Sequence, residues 1–280
     1  MNLRSIYFSV LFSVIVLCSA HAQRKPNDPK HENWYSVANV ETDDLLIEFS
    51  GSHSQQEFTT TKVKVTNKTN DYILWKTTES IFKYEFGEFK PAKGMLSDGN
   101  MLLGPGESDT KTLKVSGGNK FHVDNLKLIL DGFYKIAFEG NAIDAPDFKL
   151  PPNVNDFKAG KFEVSLDKLK KETKETEAKF KVKYTGTNVG FLDPSRCVVK
   201  IPNGQEYATA NRKDKKQILF PGDTENIKAV FQVPGKVVDM QFANLEILWK
   251  DTFREAKAVP FKVGTAEFVL DPGMTEGKNR

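Results

Sequence analysis

The chain holds 280 residues, 39% hydrophobic and 28% charged, and its 40 basic and 37 acidic side chains leave a formal net charge of +3. That length suits about two domains of the usual ~100–200 residues, and the composition excludes a disordered or largely membrane-embedded chain. Lysines and acids interleave, as across residues 168–183; a nucleic-acid binder gathers its cations on one face, so nucleic acid is not an expected partner.

The chain starts with a positive Arg4. Residues 6–17 are apolar apart from two serines, and Ala20-His21-Ala22 places small residues where a signal peptidase reads. This predicts a secretory signal peptide, residues 1–22, cut before Gln23, and a periplasmic or extracellular location. Lipidation at Cys18 and a retained anchor are the alternatives. Ile15-Val16-Leu17 lacks the small residues that precede a lipidated cysteine, and the apolar run falls short of the ~20 residues of a membrane span. No later stretch reaches that length. Cleavage removes Cys18 and leaves Cys197 alone, so the folded chain must hold by packing without an intramolecular disulfide.

Residues 23–40 form a polar N-terminal segment, in which Trp34 is placed to clamp the segment onto the first domain. That first β-domain is expected over 41–139. In Ile81-Phe82-Lys83-Tyr84-Glu85-Phe86, period-2 alternation sets three aromatics on one face and two charges on the other. The 21 phenylalanines of the chain favour such half-buried pleated surfaces. Leu102-Leu103-Gly104-Pro105-Gly106-Glu107-Ser108 then reads as a turn, followed by alternating strands at 110–115 and 125–130. Residues 140–159, with Pro146, Pro151 and Pro152, read as a stiff linker. A second domain is expected over 160–266. It has strands at Arg196-Cys197-Val198-Val199-Lys200-Ile201 and Leu245-Glu246-Ile247-Leu248-Trp249, and an Asn203-Gly204 hairpin turn. Residues 168–179 lack an apolar stripe and read as a solvated loop, with a short helix as the alternative. Residues 267–280 read as a flexible tail.

The two domains look like copies. Leu219-Phe220-Pro221-Gly222-Asp223-Thr224 matches the earlier turn, its proline 116 residues after Pro105. Asn244-Leu245 lies 119 residues after Asn125-Leu126. Upstream, Thr61-Lys62-Val63-Lys64-Val65 matches Lys179-Phe180-Lys181-Val182-Lys183. A constant order at near-constant spacing marks a duplication whose period is a whole domain. The expected fold class is all-β: two tandem immunoglobulin-like antiparallel β-sandwich domains after a cleaved signal peptide. Val65-Thr66-Asn67, the stretch from Asn203 to Tyr207, the Pro-Gly-acid-hydroxyl turn and Ala229-Val230-Phe231-Gln232-Val233-Pro234 resemble the immunoglobulin-like β-sandwich family of exported bacterial proteins. That resemblance implies an envelope or extracellular location and a binding or scaffold role, and transfers no catalytic residue.

Chemistry-bearing residues are few. A nucleophilic mechanism needs a base, most often histidine. After the signal come His31 in the N-terminal segment, His53 in a polar stretch and His122 beside a strand. Only His122 stands in a folded position. Cys197 falls on the apolar face of a strand and reads as a buried small hydrophobe. Clustered His and Cys ligands for zinc are missing. Asp98-Gly99-Asn100 and Asp223-Thr224-Glu225-Asn226 offer oxygens without calcium-loop spacing. No cofactor or metal site is expected. Trp75 and Phe89 are the candidate binding surface, for a protein or glycan partner. The expectation is a non-enzymatic exported protein that binds or scaffolds a partner in the envelope or outside the cell. The alternatives are an envelope-polymer hydrolase and a spacer subunit of a surface assembly.

Overall fold

The computed structural model describes residues 24–92, 100–211 and 215–280. The signal peptide, Cys18 and the Asp98-Gly99 pair lie outside the described residues. Among the described residues the chain forms antiparallel sheets, two single-turn 3-10 helices and one short α-helix. The first strands are β1 (Asn33–Val37), β2 (Val40–Glu41), β3 (Leu45–Gln55), β4 (Phe58–Asn67), β5 (Tyr72–Lys76), β6 (Ile81–Tyr84), β7 (Gly87–Phe89), β8 (Asn100–Leu103), β9 (Ser108–Ser116), β10 (Asn125–Leu130) and β11 (Phe133–Ile136). Three strands lie in the expected linker: β12 (Asn141–Ala142), β13 (Phe148–Leu150) and β14 (Asp156–Ala159). Next come β15 (Phe162–Lys171), β16 (Glu175–Tyr184), β17 (Val189–Leu192), β18 (Cys197–Lys200), β19 (Glu206–Ala208), β20 (Gln217–Leu219), β21 (Thr224–Gln232), β22 (Leu245–Trp249) and β23 (Phe253–Ala256). The chain closes with β24 (Ala258–Phe261), β25 (Gly264–Leu270) and helix α1 (Pro272–Lys278).

Two hydrophobic cores define two units. The first packs Trp75, Phe82, Phe121, Phe133 and Phe268 between a sheet of order β7-β6-β10-β25-β1-β3-β4-β9 and one of order β24-β11-β5-β8. Around the second core, with Phe162, Phe180, Phe231, Trp249 and Phe253, lie three sheets: β12-β23-β17-β20, β13-β22-β18-β19 and β14-β15-β16-β21. Each buried phenylalanine withdraws enough apolar surface to contribute about 1.5–3 kcal/mol.

The two units share a pattern of strand pairing. β3–β4–β9 has the same neighbours as β15–β16–β21, β8–β5–β11 as β20–β17–β23, and β7–β6–β10 as β19–β18–β22. The two Pro-Gly turns also match. Gly106 and Gly222 have φ +71° and +92°, which a side chain would resist. In each, the following acid closes the turn twice. Its N–H donates to the residue before proline (Glu107 to Gly104 O, 3.1 Å; Asp223 to Phe220 O, 3.0 Å). Its carboxylate accepts from that residue's N–H, at 2.8 Å in both copies. The acids of both motifs therefore serve the backbone.

Several expectations are corrected. Residues 267–280 are not a loose tail, and the second unit does not run to 266. β25 pairs with β10 from Asn125↔Val269 to Leu130↔Gly264, because Ala266 and Phe268 alternate inward and fill the first core. After it, Asp271 caps α1 by accepting from Met274 N–H (2.9 Å), with Pro272 at the first turn where no N–H is needed. Residues 140–159 are not a spacer: Phe148, Leu150 and Ala159 are buried in the second core. The charged stretch 168–179 is a hairpin, β15 into β16, with an exposed tip and with polar Thr176 and small Ala178 at its buried positions, so no apolar stripe marks it. Phe86 belongs to the turn after β6, and so leaves the core face and is 39% exposed.

Candidate functional site

Trp75 is not at a surface. β5 is a central strand with a core on each face: Ile73 and Trp75 fill the first unit's core while Leu74 faces the second unit. Burial on both faces erases the alternation that marks half-buried strands. The Trp75 ring stacks on Phe133 at 5.0 Å, and its Nε1 donates to Ser80 Oγ (3.2 Å) and Asp131 O (3.1 Å). Phe89, on the edge strand β7, is half-buried. It meets Tyr84, Phe86 and Phe121 at 5.3–5.7 Å between ring centroids. The structure thus separates the two candidate residues and joins Phe89 to Phe86, whose ring reaches solvent.

Beside this aromatic cluster lies a histidine pair. His31 Nδ1 and His122 Nε2 are 2.8 Å apart, and His31 is buried. Two ends of the chain hold it there. The 28–31 turn closes through His31 N–H to Asp28 O (2.9 Å). Next to it, Asn279 Nδ2 donates to Glu32 O (2.9 Å) and its Oδ1 accepts from Glu32 N–H (3.0 Å). Burial and then the facing His31 push the His122 pKa below the ordinary histidine value, against a raising pull from Asp124. The pair borders an open groove of about 670 Å³, lined also by Arg24, Lys25, Asp124 and Glu276. The Nε2 of His122 is thus engaged by the other imidazole. No sequence signal marks this pair, whose members are 91 positions apart.

The other chemistry-bearing residues are packed against neighbours or buried. His53 stacks under Trp34 at 4.8 Å, while Lys278 of α1 lies 4.9 Å from the indole centroid on the Trp34 ring. Trp34 therefore clamps both ends of the chain to the first unit. Cys197 is buried and its thiol is pushed up to about 12, chiefly by burial, so it holds almost no thiolate at neutral pH. Among the described residues no group of three or more His, Cys, Asp or Glu side chains gathers to hold a metal, and no helix is long and apolar enough to cross a membrane.

No family model and no curated protein sequence matches the chain. Among solved structures it is similar to a transglutaminase from red sea bream, with 8% identity and a TM-score of 0.19 over 84% of this chain and 31% of that one. It is also similar to the secreted serine protease VesC from Vibrio cholerae, with 12% identity and a TM-score of 0.18 over 85% of this chain and 51% of that one. The chain thus spans about a third and about half of these two proteins, and likeness of that degree carries no functional argument.

Proposed function

We propose that this is an exported, non-catalytic protein whose two units are immunoglobulin-like sandwiches, and that it binds or scaffolds a protein or glycan of the cell envelope. The observation that carries the reading is the end of the first unit. There the exposed ring of Phe86 sits on Tyr84 and Phe89, next to a groove that presents both cations and acids. An aromatic platform beside mixed charge suits a partner's chain: the ring supplies contact area and the charges fix orientation. The platform stands on a sheet whose strands hold it in place. Export follows from residues 1–22, read as a signal peptide.

The experiment is photo-crosslinking in the native host from a residue placed at Lys25, followed by an affinity measurement with the partner recovered. Phe86→Ala should weaken binding about tenfold or more, corresponding to ~1.4 kcal/mol. A specific partner whose affinity ignores Phe86, or the absence of any crosslinked species, would overturn the reading.

A further inference from the structure

The strands that complete each unit come from the other unit's end of the chain. β11 continues through residues 137–140 into β12, which pairs with β23 of the second unit at Asn141↔Glu255 and Ala142↔Arg254. β23 continues through Lys257 into β24, which pairs with β11 of the first unit from Phe133↔Phe261 to Ile136↔Ala258. Residues 133–142 and 253–261 thus run antiparallel as one ribbon that crosses between the units. Past the ribbon the exchange is repeated. β13 lies on β22, with Leu150 opposite Leu245, and β25 lies on β10. The sequences agree: Phe148-Lys149-Leu150-Pro151-Pro152 and Phe268-Val269-Leu270-Asp271-Pro272 are 120 residues apart, each a Phe-x-Leu strand end with proline after it.

The seam has the same symmetry. Its apolar cluster contains Leu74, Tyr72, Leu102 and Ile136 from the first unit, and Phe191, Val189, Ile218 and Ala256 from the second. By position these are four equivalent pairs, 116 to 120 residues apart. One patch therefore meets its own counterpart, the pattern of a two-fold dimer contact. Ordinary tandem domains meet through unlike surfaces and keep their own strands.

We propose that the seam is a dimer interface carried within one chain. The two repeats, ending and restarting at residues 151–155, are mutual binding partners, each of which supplies the strands that close the other's core. The connection at 151–155 then adds only effective concentration. It is exposed, with Val154 at 63%, and so accepts a cleavage site.

The test is the chain from Gln23 onward with a protease site inserted between Asn153 and Val154, cut while folded. The two fragments are expected to elute together at the mass of the uncut chain, and to stay together on dilution to about 10 nM, as for an interface resembling a core cut in half. Separation into two folded species overturns the proposal. Hydrogen exchange on the uncut, unmodified chain gives a reading that does not depend on the insertion. The amides of Ala266 and Phe268 should exchange as slowly as that of Leu128, since they share one sheet. Fast exchange confined to residues 264–270 would equally overturn it.

Discussion

Phe268→Ala is the sharpest test of where the chain ends its fold. Phe268 is fully buried, with edge-to-face contacts to Tyr35 at 5.9 Å, Phe49 at 6.0 Å and Phe82 at 6.3 Å. Truncating a buried phenylalanine removes its transfer free energy and leaves a cavity, about 3–5 kcal/mol together. The value should fall in the upper half of that range, because three aromatic neighbours lose their ring partner and β10 and β1 flank it on both sides. For a chain of this size each 1 kcal/mol moves the melting midpoint by about 2–4 °C, so a drop of roughly 8–20 °C is expected. The assay is thermal and urea unfolding followed by circular dichroism, with Val269→Ala as control. Val269 is the next residue, faces outward at 51% exposure, and should stay within about 0.5 kcal/mol of the parent. If both substitutions are equally mild, the last strand is not part of the first core and the reasoning fails.

Three further outcomes rest on single groups. Because the His122 pKa is lowered on folding, the unfolded state binds more protons near and below about pH 6.5, so this histidine's contribution to stability is complete above that value and is lost as pH falls through the lower folded pKa; urea midpoints from pH 8 to 5 should fall less steeply for His122→Gln, and identical slopes would refute the assignment. Gly222→Val and Gly106→Val place a β-branched residue at positive φ with nothing within 4 Å of the new Cβ, so each should cost about 1–2 kcal/mol of backbone strain in urea unfolding; a neutral result at both would mean the turns are not held at positive φ. Cys197 in the chain from Gln23 onward should resist a disulfide reagent at pH 8 until denaturant is added, since its thiol is enclosed and its pKa is about 12; rapid stoichiometric labelling of the folded chain would contradict that.

The legible part of the sequence is local. Alternation marks β6, β18 and β22, and the two Pro-Gly turns mark equivalent positions in the two units. The same alternation runs through Thr265-Ala266-Glu267-Phe268-Val269, so β25 is as readable as any strand. Its partner is not, because period 2 says which face is buried and nothing about whose core buries it. Trp75 is hidden for the opposite reason: in Ile73-Leu74-Trp75 both faces are covered, and an unbroken apolar run gives no sign of which residue points where. Residues 168–179 hide a hairpin because its buried positions on β16 are filled by polar Thr176 and small Ala178, which give no apolar signal between the charges. The His31–His122 pair leaves no trace, since its members lie 91 positions apart and only the fold brings them together.

The exchange also accounts for an asymmetry between the units. In the first, β25 and β1 arrive from opposite ends of the chain and lie side by side, Tyr35↔Leu270 to Val37↔Phe268, so the sheet runs unbroken from β10 to β3. In the second, the single stretch 148–159 must supply both β13, the counterpart of β25, and β14, whose pairing of Phe157 with Val164 repeats that of Val40 with Ile47 in β2. An antiparallel strand cannot lie beside its own continuation without a turn between them, and only residues 151–155 separate the two. No strand among the described residues takes the place of β1, and β13 and β14 end separate sheets. Pro151 and Pro152 follow that free edge directly. Lacking N–H groups, they cannot extend the ladder of β13 toward a passing strand. The chain's own ends close the first unit, and a proline pair blunts the edge that the same topology leaves open in the second.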